Sequence, residues 1–187
     1  MKSPFYFIVG PLNGYRYDNV KTIGDKEMLL SNDFEDYKTT NRFAKVIETP
    51  HNYKGDIRVG DILVVHHNVF RIQLDMKGRE VSGRSFLKDN TFFVDKTQFF
   101  AYKNDKGWHC FDKYCFVKPL EYEEQEIYTS LNEQPLTGEI FIINQELLDL
   151  GVKPKDKVIF EPDSEYAFNI EGEKVYRMFT KNITAVL

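Results

Sequence analysis

Apolar residues in this chain come in short runs closed by turn-forming residues. Phe5–Val9 is stopped by "GPLNG", "RFAKVIE" (Arg42–Glu48) ends at Thr49-Pro50, and Asp61–Val65 is entered through Val59-Gly60. Thr91–Val94 and Gln98–Tyr102 form a pair of aromatic runs, and "YCFVK" (Tyr114–Lys118) ends at Pro119. Glu139–Ile143, Lys157–Glu161, Lys174–Phe179 and Ile183–Leu187 complete the set. Each has the length and the bounding turn residues of a strand. Runs this short, spaced this way, predict an all-β barrel or sandwich. The best helical segment is "NQELLDLG" (Asn144–Gly151), with a capping Asn and a closing Gly. It has room for about two turns, so one helical turn is expected there and little helix elsewhere.

The runs also repeat. "RVGDILVV" (Arg58–Val65) matches "KPKDKVIF" (Lys153–Phe160) and aligns Asp61 with Asp156. "TFFVDKTQFFAY" (Thr91–Tyr102) matches "VYRMFTKNITAV" (Val175–Val186), and "FAKVI" (Phe43–Ile47) matches "GEIFI" (Gly138–Ile142) in type. Three matches in one order predict two copies of a single β domain. Asp61 and Asp156 are 95 residues apart, whereas Thr91 and Val175 are 84 apart, so the first copy carries about 11 extra residues between those blocks. The polar segment "QLDMKGREVSG" (Gln73–Gly83) is the natural place for them. The expected domains are residues 1–106, with an insert near 73–83, and residues 107–187.

Composition narrows the function classes. The formal charge of −4 over 187 residues argues against a nucleic-acid partner. No apolar run approaches the ~20 residues of a membrane helix, and the N-terminal apolar stretch breaks at Gly10-Pro11 without a small-residue cleavage site. Two cysteines without a secretion signal suggest a reducing compartment, hence the cytoplasm. The 16 Phe and 11 Tyr, with few Ala, favour strands over helices.

The candidate chemistry is sparse. Adjacent histidines on a strand point to opposite faces, so His66 and His67 are read as the start of a polar turn after a strand ending at Val65, and no metal site is assigned. In "GWHCFDKYCF" (Gly107–Phe116), His109 and Cys110 are sequence neighbours that would face apart, which spoils proton transfer between them. The acidic run "LEYEEQE" (Leu120–Glu126) is read as a solvated loop. No phosphate-cradling glycine loop, GxSxG elbow or HExxH helix occurs. No catalytic residue, metal ligand or cofactor is assigned, and the chain is not expected to be an enzyme.

The blocks resemble the GroES-type co-chaperonin family. In the second copy, "DKYCFVKPLE" is similar to the family's first strand, "TGEIFII" to its next, "GVKPKDKVIF" to its "VKVGDIVIF" block, and "GEKVYRMFTKNITAVL" to its closing segment. In the first copy, "VGDILVV" and "NTFFVDKTQFFAY" fit the same pattern. The departures are the insert in copy one, Lys155 where the block carries Gly, and little sign in copy two of the family's glycine-bearing roof hairpin. The resemblance implies two tandem small antiparallel β-barrels. It also implies a mobile loop between the first two strands of each, whose apolar tripeptide docks on a large chaperonin ring. Met28, Leu29 and Leu30 fall at that position in copy one; Ile127 and Tyr128, with Leu131 as a substitute anchor, fall there in copy two. A bland alternative makes Met28–Leu30 an ordinary strand of the first barrel. The implied partners are a chaperonin ring and further copies of this chain, in a cell's cytoplasm or a host's if the source is a virus. Two other functions stand beside this one. A structural or assembly protein, such as a virion or bacteriophage component, would reuse the barrel without chaperonin binding. A medium-chain dehydrogenase also contains such a barrel, but would need a dinucleotide-binding glycine fingerprint that is absent from these residues.

Overall fold

The computed structural model describes residues 2–17, 20–23, 26–29, 39–122 and 133–187, with the backbone course alone for 20–23 and 26–29. The chain divides into two compact units, Met1–Gly107 and Trp108–Leu187. The first contains β1 (Phe7–Pro11), β2 (Val20–Ile23), β3 (Lys26–Leu29), β4 (Phe43–Glu48), β5 (Ile62–Val65), β6 (Ile72–Leu74), β7 (Glu80–Ser82), β8 (Phe86–Lys88), β9 (Thr91–Val94) and β10 (Phe99–Asn104). After β11 (Gly107–Cys110) come β12 (Tyr114–Glu121), β13 (Glu133–Ile142), a short helix α1 (Gln145–Asp149), β14 (Lys157–Phe160), β15 (Tyr166–Ile170), β16 (Glu173–Phe179) and β17 (Ile183–Val186). The protein is therefore all-β, and every strand pairing described below is antiparallel.

Two sheets carry the fold. One runs β11-β10-β5-β4-β1-β9-β8, the other β15-β16-β12-β13-β14-β17. Leaving β11 aside, they read in the same order once β1, β4, β5, β8, β9 and β10 are set against β12, β13, β14, β15, β16 and β17. The agreement extends to single residues. Val9 faces Val46 as Val117 faces Ile140, and both first strands are irregular one residue earlier, at Ile8/Val9 and Phe116/Val117. Leu63 sits between Ala44 and Tyr102 as Val158 sits between Gly138 and Val186. Pro11 opposes Ala44, and Pro119 opposes Gly138.

The turn before β5 is repeated to the hydrogen bond. The Arg58 N–H donates to Asp61 Oδ2 (2.7 Å), and the Lys153 N–H to Asp156 Oδ2 (2.8 Å). Gly60 N–H donates to the Val46 carbonyl (2.8 Å) and Lys155 N–H to the Ile140 carbonyl (2.9 Å). That turn needs a left-handed residue. Gly60 supplies φ +97°, and Lys155 is held at φ 71° despite its side chain. After β9 and β16, Asp95 N–H donates to Gln98 Oε1 and Phe179 N–H to Asn182 Oδ1, both at 3.1 Å.

The cores correspond position by position. Unit 2 packs Cys115, Val117, Ile140, Val152, Val158, Phe160 and Met178, with Leu147 from α1. Their counterparts Phe7, Val9, Val46, Ile57, Leu63, Val65 and Val94 are all buried in unit 1. The same register position carries different side chains in the two units: Phe7 opposite Val94 becomes Cys115 opposite Met178. In unit 1 the Tyr53 ring packs edge-on against Phe7, with centroids 5.0 Å apart.

Two expectations are adjusted. "FAKVI" aligns with "TGEIF" (Thr137–Phe141), one residue earlier than type-matching suggested, because Ala44 and Gly138 share a register position. A one-residue slip exchanges the two faces of a strand, so the apolar letters alone placed it wrongly. The strand through Tyr114 does not stop at Pro119; it runs to Glu121. Its pairing to β16 ends at Val117, so the missing proline N–H interrupts no bond on that side. Within the expected insert, Ile72–Leu74 and Glu80–Ser82 form a separate two-stranded ribbon, β6-β7. In unit 2, β14 leads to β15 directly, with five residues (161–165) between.

Candidate functional site

The chain between β1 and β4 carries its own hairpin. Strands β2 and β3 pair as a two-stranded sheet outside the seven-stranded one, with Lys21 opposite Met28 and Val20 opposite Leu29. Met28 and Leu29 thus lie on a strand, but not on a strand of the main sheet; Leu30 lies outside the described residues. In unit 2 the corresponding connection runs from Tyr122, which is exposed, to Glu133. Ile127, Tyr128 and Leu131 lie outside the described residues.

The base of the first arm is built from side chains that the sequence pattern does not single out. Tyr17 and Thr40 bridge the two ends of the arm, and both are buried. Asn41 is 1% exposed. Its amide nitrogen donates to the Tyr15 carbonyl (3.0 Å) and its amide oxygen accepts from Phe43 N–H (2.8 Å). The Tyr17 hydroxyl accepts from Ile72 N–H at 2.6 Å. Arg16 donates to the Phe70 carbonyl (2.7 Å), Ser82 Oγ (3.1 Å) and the Arg71 carbonyl (3.2 Å). The arm is therefore tied at its root to the base of the β6-β7 ribbon. In unit 2 the root is ionic: Lys174 Nζ reaches Glu133 Oε1 at 2.6 Å and the Tyr176 hydroxyl donates to Oε2 at 2.5 Å. Isolated charges in polar segments carry no periodicity, so only the packing identifies these residues.

The histidine pair follows β5 as a 3-10 turn, His67–Val69. His66 Nδ1 caps it by accepting from Asn68 N–H (3.1 Å), and the two rings lie against each other, tilted by 33° with centroids 4.1 Å apart. The turn brings the rings together where a continuing strand would have splayed them. Burial, helped by the neighbouring positive charge of His66, Arg42 and Arg71, pulls His67 down to about 4. It is neutral at physiological pH. Among the described residues no three His, Cys, Asp or Glu side chains gather to hold an ion.

Both cysteines lie in unit 2, Cys115 buried and Cys110 half-buried. Cys110 Sγ donates to the Ile142 carbonyl (3.2 Å) and Cys115 Sγ to the Met178 carbonyl (3.8 Å). Burial pushes both thiols up, Cys110 well above its ordinary value with Cys115 adding to it, and Cys115 to about 12. Near neutral pH neither is the thiolate a nucleophile requires. An open cleft of about 360 Å³ lies beside the Gly60 turn, lined by Asp56, Arg58, Asp61, Asn104, Asp105 and Lys106. Its charges are mixed, and the Asp61 carboxylate is already engaged by Arg58 N–H.

No described helix is long and apolar enough to cross a membrane. No family model matches the chain, and no curated protein matches it. What the residues establish by themselves is an internally duplicated, antiparallel β protein whose first unit carries a tethered hairpin between its first two core strands.

Proposed function

We propose that this chain is a tandem co-chaperonin of the GroES type, attaching to a large chaperonin ring through the segments that join the first two core strands of each unit. In this reading each unit is a small GroES-like barrel, the protein works in the cytoplasm without a cofactor, and any nucleotide hydrolysis belongs to the ring. The supporting observation is the β2-β3 arm: it is set apart from the main sheet, is rooted by buried side chains, and carries Met28 and Leu29 on its second strand. Its anchors are Met28, Leu29 and Leu30, with Ile127, Tyr128 and Leu131 in unit 2. A fully buried Leu contributes ~1.5–3 kcal/mol, so one arm binds weakly and several arms together bind by avidity.

Self-association completes the proposal. Strand β17 ends its sheet, carries no charged residue, and exposes Thr184, Ala185 and Val186. Such an edge invites another strand, and a further copy of this chain supplies one. The second reading, a virion or phage assembly protein that reuses the barrel, draws on Ile127-Tyr128-Thr129, a tripeptide less apolar than that of unit 1.

Analytical ultracentrifugation of the full chain with a purified GroEL-type double ring separates the two. Co-sedimentation that depends on bound nucleotide, and that weakens at least about tenfold in a Leu29→Ser, Leu30→Ser variant, is the expected result. A homo-oligomer that leaves the ring unbound with and without nucleotide would favour the assembly protein.

A further inference from the structure

In both units the segment joining the first two core strands is fastened to the same position of the repeat. That position is Phe92 in β9, opposite Val9, and Tyr176 in β16, opposite the matching Val117. In unit 1 the fastener precedes the segment: the Arg16 guanidinium stands 5.1 Å from the centre of the Phe92 ring. Its three nitrogens are spent on the Phe70 and Arg71 carbonyls and Ser82 Oγ. In unit 2 the fastener follows the segment: Glu133, the first residue of β13, accepts from the Tyr176 hydroxyl and from Lys174. The Lys174 ammonium lies 5.2 Å from the same tyrosine ring. One aromatic position thus holds a cation on one side of the first segment and an anion on the other side of the second.

We infer that Arg16 and Glu133 are positioning residues that set the stance of the two connecting segments by clamping them onto Phe92 and Tyr176, and that the two clamps respond differently to pH. Arginine keeps its charge throughout the physiological range, and its acceptors here are carbonyls and a hydroxyl, none of which titrates. The unit 2 clamp needs a carboxylate. The groups facing it are Lys174 and Tyr176 on β16 and Glu121, its cross-strand partner on β12. Burial pushes the Glu133 carboxyl up, but the hydrogen bonds from Lys174 and Tyr176 outweigh it, and it rests below its ordinary value of 4.5. The clamp is whole above that ordinary value and is lost as pH falls through the lower folded one. The consequence for partner binding rests on the chaperonin reading; the clamps themselves do not.

Hydrogen exchange of the full chain, read by mass spectrometry without any partner, tests the clamps alone. Arg16→Gln should speed exchange in 39–43 and 70–74 by at least about tenfold, with Arg16→Lys, which lacks the guanidinium fork, intermediate. After correction for intrinsic rates, wild-type exchange around 133–137 should rise as pH is lowered from 6 to 3.5, and in Glu133→Gln it should be flat. Tyr176→Phe, which restores the unit 1 side chain, should loosen 133–137 and leave 39–43 unchanged. Far-UV circular dichroism and unchanged protection in the opposite unit identify a variant that has folded. Unchanged exchange in folded Arg16→Gln and Tyr176→Phe, or the same pH dependence in Glu133→Gln as in the wild type, would overturn the inference.

Discussion

Gly138→Ala is the sharpest probe of the register that relates the two units. A Cβ at Gly138 would meet Val117 Cγ1 at 2.3 Å and the Lys118 carbonyl oxygen at 2.7 Å. Carbon atoms pack at about 3.5–4.0 Å, so β12 and β13 must part or Val117 must turn. Val117 is fully buried, and turning it forces an unfavourable rotamer into a filled core. The carbonyl belongs to backbone paired across the two strands and cannot swing away. Overpacking of this kind, the off-rotamer side chain included, costs about 1–3 kcal/mol. The reduced freedom of Ala in the unfolded chain returns about 0.5–1 kcal/mol. The net loss is about 1–2 kcal/mol. Trp108, the chain's single tryptophan, lies in unit 2 and reports its unfolding by fluorescence in urea. With a slope of about 2 kcal/mol per molar, the midpoint should fall by about 0.5–1 M. Unit 1 provides the control: its counterpart, Ala44, already carries a buried Cβ, so Ala44→Gly should cost only about 1 kcal/mol. Val117→Ala should cost less in the Gly138→Ala background than in the wild type, since it removes the overlap. A Gly138→Ala protein unfolding within about 0.5 kcal/mol of wild type would refute the close approach of β12 and β13.

Further expectations follow from the same repeat and from the histidine turn. Lys155→Gly removes a left-handed lysine that costs roughly 1–2 kcal/mol. After the extra unfolded-state entropy of Gly it should raise unit 2 stability by about 0.5–1 kcal/mol; a lowered urea midpoint would contradict the shared turn. His67 takes up a proton less readily folded, at about 4, than unfolded, at its ordinary 6.5. Its contribution is therefore complete above pH 6.5 and declines as pH falls towards 4. His67→Gln should flatten the thermal midpoint across that window, followed by tyrosine near-UV circular dichroism; an unchanged slope would place the acid sensitivity elsewhere.

The strands of the repeat were legible because turn residues punctuate them and the two copies check each other. Asp61 and Asp156 were visible as a pair because the turn they cap demands a short acceptor at that position, and the structure gives both the same bond. The one-residue misplacement of "GEIFI" arose because the face of a short strand is set by its neighbour: Gly138 belongs opposite Pro119, where a side chain has no room. Strands β8 and β15 were missed because each lies at the edge of its sheet, paired on one side only. Their hairpins turn on left-handed Asp89-Asn90 and Glu171-Gly172, and the first of these lacks glycine altogether. The insert near 73–83 was legible from the unequal spacing of the two copies, but its pairing as the β6-β7 ribbon was not, since each strand is only three residues long. At the candidate site the contrast is greater. Met28 and Leu29 stood out as apolar letters in a polar stretch, whereas Arg16, Tyr17, Asn41 and Glu133 act through contacts up to 66 residues away along the chain.

The most direct test of the central claim, that apolar segments between the first two core strands engage a chaperonin ring, is the hydrogen-exchange footprint of this protein on a nucleotide-bound double ring. The account predicts new protection confined to residues 26–30 and 127–131, with the edges of both main sheets unchanged by the ring. Protection elsewhere with those segments exchanging as in the free protein, or no protection at saturating ring, would contradict it.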